Sequence, residues 1–190
     1  MTAGLKVKAI AALAVLTALA VATPLAVAAT TYKTNFTSKP WTINKRFVKQ
    51  EIPYPSEEAP GTIIVNTQKR YLYLVLPERR ALRYGIGVGR QGFTWSGSER
   101  ITRKAEWPDW TPPPEMRRRD PTVPAFMKGG PENPLGARAL YLGISEYRIH
   151  GTAQPWTIGT AVSSGCIRLQ NEDVIDLYSR VKVGAKVIVQ

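Results

Sequence analysis

The chain has 190 residues and a formal net charge of +12, from 26 Lys and Arg against 14 Asp and Glu. This length fits one domain with a full core and leaves little room for a second. The single cysteine excludes a fold stapled by internal disulfides, and one histidine with one cysteine falls short of the three or four ligands that zinc needs. We therefore expect no metal and no cofactor.

The first 28 residues have the layout of a secretory signal. Lys6 and Lys8 precede an uncharged Ala/Val/Leu run that ends in the small residues Ala26-Val27-Ala28. A retained membrane anchor is the alternative, because about 20 apolar residues suffice to cross a bilayer. We expect a signal peptide over 1–28 and export to the periplasm or the cell-wall side of the cytoplasmic membrane, with membrane contact only through an uncleaved signal.

The basic charge indicates polyanionic surroundings. For an exported protein these are lipid headgroups and cell-wall polymers, so we expect no nucleic-acid partner. The basic residues are scattered, and the one dense cluster, Arg117-Arg118-Arg119, is followed at once by Asp120-Pro121. Most of this charge is expected on a solvated surface.

Residues 29–60 are predicted to form an extended lead-in, because "QEIPYPSEEAPG" carries three prolines and a glycine that oppose regular structure. The folded domain is predicted over 61–190. It opens with "TIIVNTQKRYLYLVL" and "ALRYGIGVG", which are rich in Val, Ile, Leu and Tyr. These segments predict two strands that form a β-hairpin with its turn at Pro77-Glu78-Arg79.

Residues 107–136 are predicted to be a loop-dominated insert, because eight prolines oppose both helix and central strand. Ordered loops of this length are usually functional. Three later segments, "ARALYLG", "EYRIHG" and "AKVIVQ", have strand-like composition. The fold class is therefore mostly β.

The segment "NEDVIDLYSRV" has helical spacing. Asn171 is a candidate N-cap, and acidic residues follow it in the first turn. The apolar face comprises Val174, Ile175, Leu177, Tyr178 and Val181. A short helix is predicted here.

The run from Gly87 to Gly92 matches the G-x-G-x-x-G pattern of dinucleotide-binding folds. That pattern needs a helix directly after it, whereas "FTWSGSERITRK" has no helical apolar period. We interpret these glycines as a strand edge and a turn.

Cys166 and His150 are the only cysteine and histidine, and the 16-residue separation includes Gly151, Pro155, Gly159 and Gly165. A strand, a turning loop and a return could bring the two side by side. A thiol beside an imidazole forms a thiolate–imidazolium nucleophile suited to acyl transfer. A buried small cysteine and a structural histidine remain the competing interpretation.

Residues around the cysteine suit the same chemistry. Backbone N–H groups near Gly165 and Cys166 could hold an oxyanion, and glycine permits close approach of a carbonyl. The planar guanidinium of Arg168 could bind a substrate carboxylate through two hydrogen bonds, and Trp107 and Trp110 could form one side of a substrate groove. A structural role for Arg168, pairing with Asp173 or capping carbonyls, is the alternative.

The segments "YRIHGT" and "SSGCIRLQNEDVIDLYSRVKVGAKVIV" resemble the catalytic signature of the L,D-transpeptidase family, and the similarity runs from about Gly61 to Gln190. This resemblance implies a mixed β-sandwich-like catalytic domain with a short helix after the catalytic cysteine. It also implies that Cys166 is the nucleophile, His150 its base and the Gly151 carbonyl the group that orients the imidazole. Other signature positions match at Ser163, Ser164, Gly165 and Arg168.

The chain departs from the family pattern twice. Ser164 stands where many members have histidine directly before the Gly-Cys pair, which concerns local polarity rather than the base. In "FTWSGS", relatives often carry a Thr-Pro-x-Gly turn, and of that turn only Gly97 is kept.

The resemblance implies a reaction on peptidoglycan tetrapeptide stems. The cysteine forms a thioester with the third residue, and the acyl group passes to an amine of a second stem or of an envelope protein. The alternatives are a hydrolase on the same scaffold and a basic, non-catalytic wall-binding protein. We expect a monomer.

Overall fold

The computed structural model describes Met1 and residues 41–190. The chain divides into two units, Met1–Lys33 and Thr34–Gln190, and the fold described here belongs to the second. Apart from Met1, the predicted signal peptide lies outside the described residues. Within the described residues, none of the helices has both the length and the apolar character that a membrane crossing requires.

Within residues 41–190 the chain forms eleven β-strands and two α-helices. The strands are β1 (Gln50–Pro53), β2 (Ile63–Asn66), β3 (Tyr71–Leu76), β4 (Arg80–Gly85), β5 (Val88–Gly89), β6 (Gly97–Glu106), β7 (Arg138–Leu142), β8 (Arg148–His150), β9 (Ala161–Ser163), β10 (Ile167–Arg168) and β11 (Lys186–Val189). The helices are α1 (Pro114–Arg119) and α2 (Asn171–Arg180), and single 3₁₀ turns occur at Lys45–Phe47 and Pro155–Thr157.

Nine strands form one curled sheet in the order β1-β4-β3-β2-β11-β6-β7-β8-β10, and β5 pairs with β9 separately. Pairing is antiparallel except for β11–β2, β10–β8 and β5–β9, so the sheet is mixed. The long strand β6 joins its two halves: Gly97–Arg100 pairs with β11, and the remainder pairs with β7 after a register shift between Ile101 and Arg103. The predicted mostly β fold is confirmed.

The main core lies inside the curl. It contains the inward side chains of both sheet halves together with one face of α2, including Ile63, Leu72, Ile101, Leu140, Ile149, Ile167, Val174 and Leu177. A smaller cluster on the outer side comprises Ile64, Tyr73, Val75 and Ala81. Burial of aliphatic side chains at about 25 cal/mol per Å² is what holds the two halves of the sheet together.

The opening hairpin differs from the sequence prediction in one respect. The first predicted strand is itself a hairpin, because the polar segment 67–70 turns the chain and Arg70 has φ +62°. The turn predicted at Pro77-Glu78-Arg79 is confirmed, with Glu78 and Arg79 both at positive φ. Two successive positive φ values match the twist of antiparallel strands joined by a tight turn.

The lead-in contains regular structure that the sequence analysis did not expect. Strand β1 pairs antiparallel with β4 through Gln50–Pro53, and Phe47 is buried. The expectation was wrong because β1 is an edge strand, where the missing N–H of Pro53 can face away from the ladder. Tyr54 stacks on Tyr73 with ring centroids 4.6 Å apart, so this segment also covers the outer apolar cluster.

The insert at 107–136 includes helix α1, although its prolines argued against any helix. Pro113 is the N-cap and Pro114 the first helical residue, a position where the missing N–H has no intrahelical partner to lose.

Strand β6 was not predicted from the sequence, because its charged segment "GSERITRKAE" lacks the apolar alternation that marks a strand.

The helix predicted after the cysteine is present as α2, with two differences. Its N-cap is Gln170, and Asn171 is the first helical residue, whose buried Oδ1 accepts a hydrogen bond from the Ala137 N–H at 2.9 Å. Ile175 is exposed rather than part of the packed face. The strands predicted in "ARALYLG", "EYRIHG" and "AKVIVQ" are confirmed as β7, β8 and β11, and the run at Gly87–Gly92 leads through β5 into a turn and β6.

Candidate active site

The candidate nucleophile and base lie on neighbouring strands at one end of the curled sheet. Strands β8 and β10 are parallel, with Ile149 opposite Ile167 and His150 opposite Arg168. Because side chains alternate between the two faces of a strand, Ile149 and Ile167 enter the core while their neighbours point the other way. Cys166 directly precedes β10, so the fold brings it to the same face as His150.

A cavity of about 110 Å³ opens on that face. Its lining contains the predicted residues Trp110, His150, Ser163, Ser164, Cys166 and Arg168, together with Pro113, Met116, Pro134, Leu135, Glu146, Tyr147 and Arg148. Trp107 is not part of the lining. The structure therefore brings the predicted nucleophile, base and arginine to one cavity, with Trp110 on its wall.

His150 is fixed by the chain that follows it. Its Nδ1 lies 2.5 Å from the carbonyl oxygen of Gly151, and the side chain is buried. A carbonyl oxygen can only accept a hydrogen bond, so Nδ1 carries the proton and Nε2 keeps its lone pair. In this tautomer the imidazole is prepared to take a proton through Nε2.

The surroundings of His150 favour the neutral imidazole. Burial, followed by the positive charge of Arg168, lowers the pKa of His150 from 6.5 to about 3, and Arg148 acts in the same direction. Hydrogen bonding to the backbone at Gly151 and Leu135 opposes this shift without cancelling it. A thiolate–imidazolium pair was predicted from the sequence, whereas the low pKa of His150 in the folded chain favours a neutral imidazole.

Ser163 closes the turn that carries the thiol. Its hydroxyl donates to the Cys166 carbonyl oxygen at 2.6 Å and accepts from the Gly165 N–H at 3.2 Å, and the residue is buried. Both interactions are internal to the turn, which favours a positioning role over substrate contact. The thiol of Cys166 is half-buried and lies 3.8 Å from the carbonyl oxygen of Glu146.

Gly165 occupies a position that only glycine fits. Its φ is +105°, and a Cβ there would lie 2.5 Å from Cε1 of Tyr147. Tyr147 stacks on Trp95 with ring centroids 4.7 Å apart, and the indole Nε1 of Trp95 donates to the Gly165 carbonyl oxygen at 3.0 Å. The aromatic pair thus supports the backbone directly before the nucleophile.

Gly151 is also closely packed. A Cβ at this position would collide with Oδ1 of Asn171 and would lie 3.0 Å from the backbone nitrogen of Ala137. The start of α2 is therefore locked against the residue whose carbonyl holds the imidazole. The family resemblance implied a role for the Gly151 carbonyl, whereas the buried contact with Asn171 has no signal in the sequence.

Arg168 lies beside the thiol and not in an ion pair with Asp173. No carboxylate among residues 41–190 forms a salt bridge with it, and its Nε is buried without a hydrogen-bond partner in that part of the chain. Burial lowers the pKa of the Arg168 guanidinium, while nearby Cys166 acts in the opposite direction. This placement favours the predicted substrate-facing role over pairing with Asp173.

The insert is held over the cavity by its own hydrogen bonds. Trp110 and Met127 exchange two backbone hydrogen bonds of 2.8 Å, and the buried side chain of Asn133 donates to the carbonyl oxygens of Met127 and Lys128. Asp109 accepts from the Gly129 N–H at 2.7 Å. The wall of the cavity is therefore an ordered loop.

Sequence reasoning missed three groups in this site. Arg148 could have been found, because it lies two residues before His150 in a predicted strand and alternation puts both on one face. Trp95 and Tyr147 had no local pattern, since Trp95 contacts a residue 70 positions away. Among residues 41–190 no group of three or more His, Cys, Asp and Glu side chains is arranged to hold a metal ion.

The sequence of this chain is similar to that of L,D-transpeptidases. The family model YkuD, described as the L,D-transpeptidase catalytic domain, matches residues 60–189. The probable L,D-transpeptidase ErfK/SrfK of Escherichia coli strain K12 is 38% identical over 149 residues, covering 74% of this chain and 47% of that protein. The probable L,D-transpeptidase YbiS of the same strain is 34% identical with the same coverage. This chain thus spans about half the length of these curated relatives.

Solved structures agree on the fold. A Brucella melitensis protein described as a probable carnitine operon oxidoreductase is 46% identical, with a TM-score of 0.52 over 83% of this chain and 100% of that one. An L,D-transpeptidase from Mycobacterium smegmatis has a TM-score of 0.54 at 19% identity, over 68% of this chain and 58% of that one. With a family model matching 130 residues, 60–189, this chain belongs to the L,D-transpeptidase catalytic domain family.

Proposed function

We propose that this chain is an exported, cysteine-dependent L,D-transpeptidase that acts on the peptide stems of peptidoglycan. The observation that carries the proposal is the shared cavity of Cys166 and a neutral His150 whose Nδ1–H is held by the Gly151 carbonyl. Membership of the family supports the reaction class. The basic surface suits a cell-wall polymer that carries free carboxylates.

In the first step the Nε2 lone pair of His150 takes the thiol proton as Sγ of Cys166 attacks a carbonyl carbon. That carbon belongs to the L-centre of the third residue of a tetrapeptide stem, a diamino acid. Of the two amides near the thiol, we assign the Cys166 N–H to the developing oxyanion, because the Gly165 N–H already bonds Ser163.

The tetrahedral intermediate then collapses. The C–N bond to the terminal D-alanine breaks, and the imidazolium of His150 returns its proton to the departing nitrogen. D-Alanine leaves as a free amino acid, and the acyl group remains on Cys166 as a thioester. Charge on the imidazole therefore exists only between the two proton transfers, consistent with the low pKa of His150.

In the second half an acceptor attacks the thioester and the Cys166 sulfur leaves. His150 removes the proton of the attacking group and returns it to the sulfur. A second stem would give a 3-3 crosslink, a lysine of an envelope protein would give covalent anchoring, and water would give simple trimming. We propose an amine as the acceptor and a monomer as the working form.

The proposal is tested at the thiol. Cys166→Ala and Cys166→Ser should abolish turnover of a tetrapeptide, and a carbapenem should add one drug mass to the native chain only. Ser179→Ala, at an exposed residue of α2 that does not line the cavity, serves as the control and should leave both readouts unchanged. An adduct on Cys166→Ala would contradict the assignment of the nucleophile.

The base and the acceptor need separate measurements. His150→Ala should lower the acylation rate by about 10² to 10⁴ while leaving the far-ultraviolet circular dichroism unchanged. Mass spectrometry of wall fragments incubated with the enzyme then identifies the acceptor from the product. A non-catalytic wall-binding protein would instead keep its function in Cys166→Ala.

A further inference from the structure

The cavity contains a second arginine that the proposed mechanism has not used. Arg148 lies two residues before His150 on β8, and Arg168 lies two residues after Cys166 on β10. The register pairs Arg168 with His150, and extending it two residues back sets Arg148 level with Cys166, which directly precedes β10. By backbone position, Arg148 and Arg168 are therefore diagonal to each other across the Cys166–His150 pair, and both line the cavity.

We propose that Arg148 is a substrate-binding residue which, together with Arg168, makes this site selective for acyl donors with two carboxylates, each arginine binding a different one. The inference rests on the proposed function and names the donor class more narrowly: a peptide with one carboxylate on the departing residue and a second on the acyl side. It adds Arg148, which the sequence analysis did not single out.

The first support is that neither cavity arginine forms a salt bridge within residues 41–190, although the carboxylate residue Glu146 lines the same cavity. Within the described residues, Arg80, Arg138 and Arg180 each pair with an acid at 2.5–3.0 Å, whereas neither cavity arginine has a salt bridge. Both cavity arginines also have a buried Nε without a hydrogen-bond partner. A desolvated guanidinium donor gains most from an ionised acceptor, which gives the shortest and strongest of these hydrogen bonds.

The buried Nε alone does not identify a site. Arg70 and Arg83 share this feature, but neither lines the cavity. Arg83 places its guanidinium over the ring of Tyr71, and Arg70 donates to the Gly159 carbonyl oxygen. What distinguishes Arg148 and Arg168 is their position in the cavity of the thiol.

Arg148 is held in place by an aromatic neighbour. Its guanidinium carbon lies 5.3 Å from the ring centroid of Tyr141, its register partner on β7. Arg103, the partner of Tyr141 on β6, lies 3.5 Å from the same ring. Arg103 is exposed and does not line the cavity, so the chain supplies a matched control on the same aromatic ring.

Charge gives the second support. Both arginines lower the pKa of His150, which places both positive charges near the base. Proton transfer to His150 would add a third positive charge to this end of the cavity. Two bound carboxylates would reduce that field, so a donor with two carboxylates would both bind better and ease proton transfer, whereas a donor with one would leave a guanidinium unpaired.

The test is a cycle between enzyme and substrate variants. Acyl-enzyme formation is followed by intact-mass spectrometry with three peptides: the tetrapeptide acid, the same peptide amidated at its C-terminus, and the same peptide amidated at the acyl-side carboxylate. With the tetrapeptide acid, Arg148→Gln should form the acyl-enzyme about 10-fold or more slowly than the native chain. With one of the two amidated peptides, the variant and the native chain should react at nearly the same rate, because the carboxylate that Arg148 binds is already missing. Arg168→Gln should show the same relation with the other amide.

The controls separate binding from damage. Arg103→Gln should match the native chain on all three peptides, and Arg148→Gln should alkylate with uncharged iodoacetamide at a near-native rate. Arg148→Lys keeps the positive charge but not the planar guanidinium, so its acylation rate with the tetrapeptide acid should fall less than that of Arg148→Gln. The lysine variant also replaces the glutamine variant in this test if the latter does not fold.

Three outcomes overturn the inference: native acylation in Arg148→Gln, an equal loss on all three peptides, or coupling of both arginines to the same carboxylate. Failure of the proposed function is distinct, because the native chain would then form no acyl-enzyme with any of the peptides. That result would remove both conclusions together, whereas the other three leave the transpeptidase assignment intact.

Discussion

His150 and Arg168 are register partners on the parallel strands β8 and β10, so the base lies directly opposite a positive charge. Burial lowers the pKa of the imidazole most and the charge of Arg168 lowers it further, so His150 stays neutral at pH values far below its ordinary pKa of 6.5. In the proposed mechanism Arg168 would therefore act in two ways, through a bound carboxylate and through the pKa of His150.

The pH dependence of acylation should show this pairing. Because the pKa of His150 is about 3, the rate of carbapenem acylation should show no inflection near pH 6.5 and should fall only at much lower pH. Arg168→Gln removes a positive charge, which favours the imidazolium, so its acid limb should move upward toward 6.5. An acid limb near pH 6.5 in the native chain would contradict the neutral, buried base.

Gly165→Ala should impair both folding and acylation. At φ +105° an alanine is strained by about 1–3 kcal/mol, and its Cβ would also collide with the ring of Tyr147. Gly92→Ala is the matched control, because Gly92 also has positive φ (+81°) but nothing lies within 4 Å of its Cβ position. Urea unfolding and carbapenem acylation are measured on both. Equal effects in the two variants would mean that the Tyr147 contact is unimportant.

Trp95→Phe should weaken the support of the nucleophile turn. The phenylalanine keeps a ring to stack on Tyr147 but lacks the indole N–H that donates to the Gly165 carbonyl oxygen. A lost hydrogen bond of this kind costs about 1 kcal/mol of unfolding free energy, and we expect slower acylation as well. Trp156→Phe, at an exposed tryptophan that does not line the cavity, should change neither quantity.

Much of the site could be predicted because its chemistry lies in short segments. The Cys166–His150 pair, Arg168 and the Gly151 carbonyl follow from two segments, and the alternation of strands explains why they meet. The support of the turn by Trp95 could not be predicted, because it depends on a contact across 70 residues. The place of Arg148 in the cavity could have been predicted from the sequence, since strand alternation puts Arg148 on the same face as His150.

Strands with a clear alternation of apolar and polar residues could be predicted from the sequence, whereas a strand rich in charged residues could not. Strands β7, β8 and β11 have aliphatic inward positions, whereas β6 is half charged and takes its place by pairing with β11 and β7. Strand β1 forms at an edge, where Pro53 is tolerated. In both strands tertiary pairing outweighed local propensity. Helix α1 was missed for a local reason, because Pro114 stands at the first helical position, where proline is tolerated.

Asp173 provides a pH-dependent test of the buried start of α2. Burial raises the pKa of this carboxyl from 3.8 to about 6, against the opposing charge of Lys49. The folded state therefore binds the proton more tightly than the unfolded state does, and the stability associated with this proton, fully present below pH 3.8, is lost as the pH rises to about 6. At neutral pH the native chain must keep an ionised carboxylate buried.

Asp173→Asn removes this titration while keeping the size of the side chain. The unfolding free energy of the variant relative to the native chain should rise between pH 4 and pH 6, by an amount on the order of 3 kcal/mol, and then level off. Groups common to both chains, His150 included, cancel in the difference. Glu172→Gln, at an exposed acid of the same helical turn, is the control and should give a difference that does not change over this range. Urea unfolding of the three chains from pH 4 to pH 8 makes the measurement, and a flat difference for Asp173→Asn would show that folding does not raise the pKa of the Asp173 carboxyl.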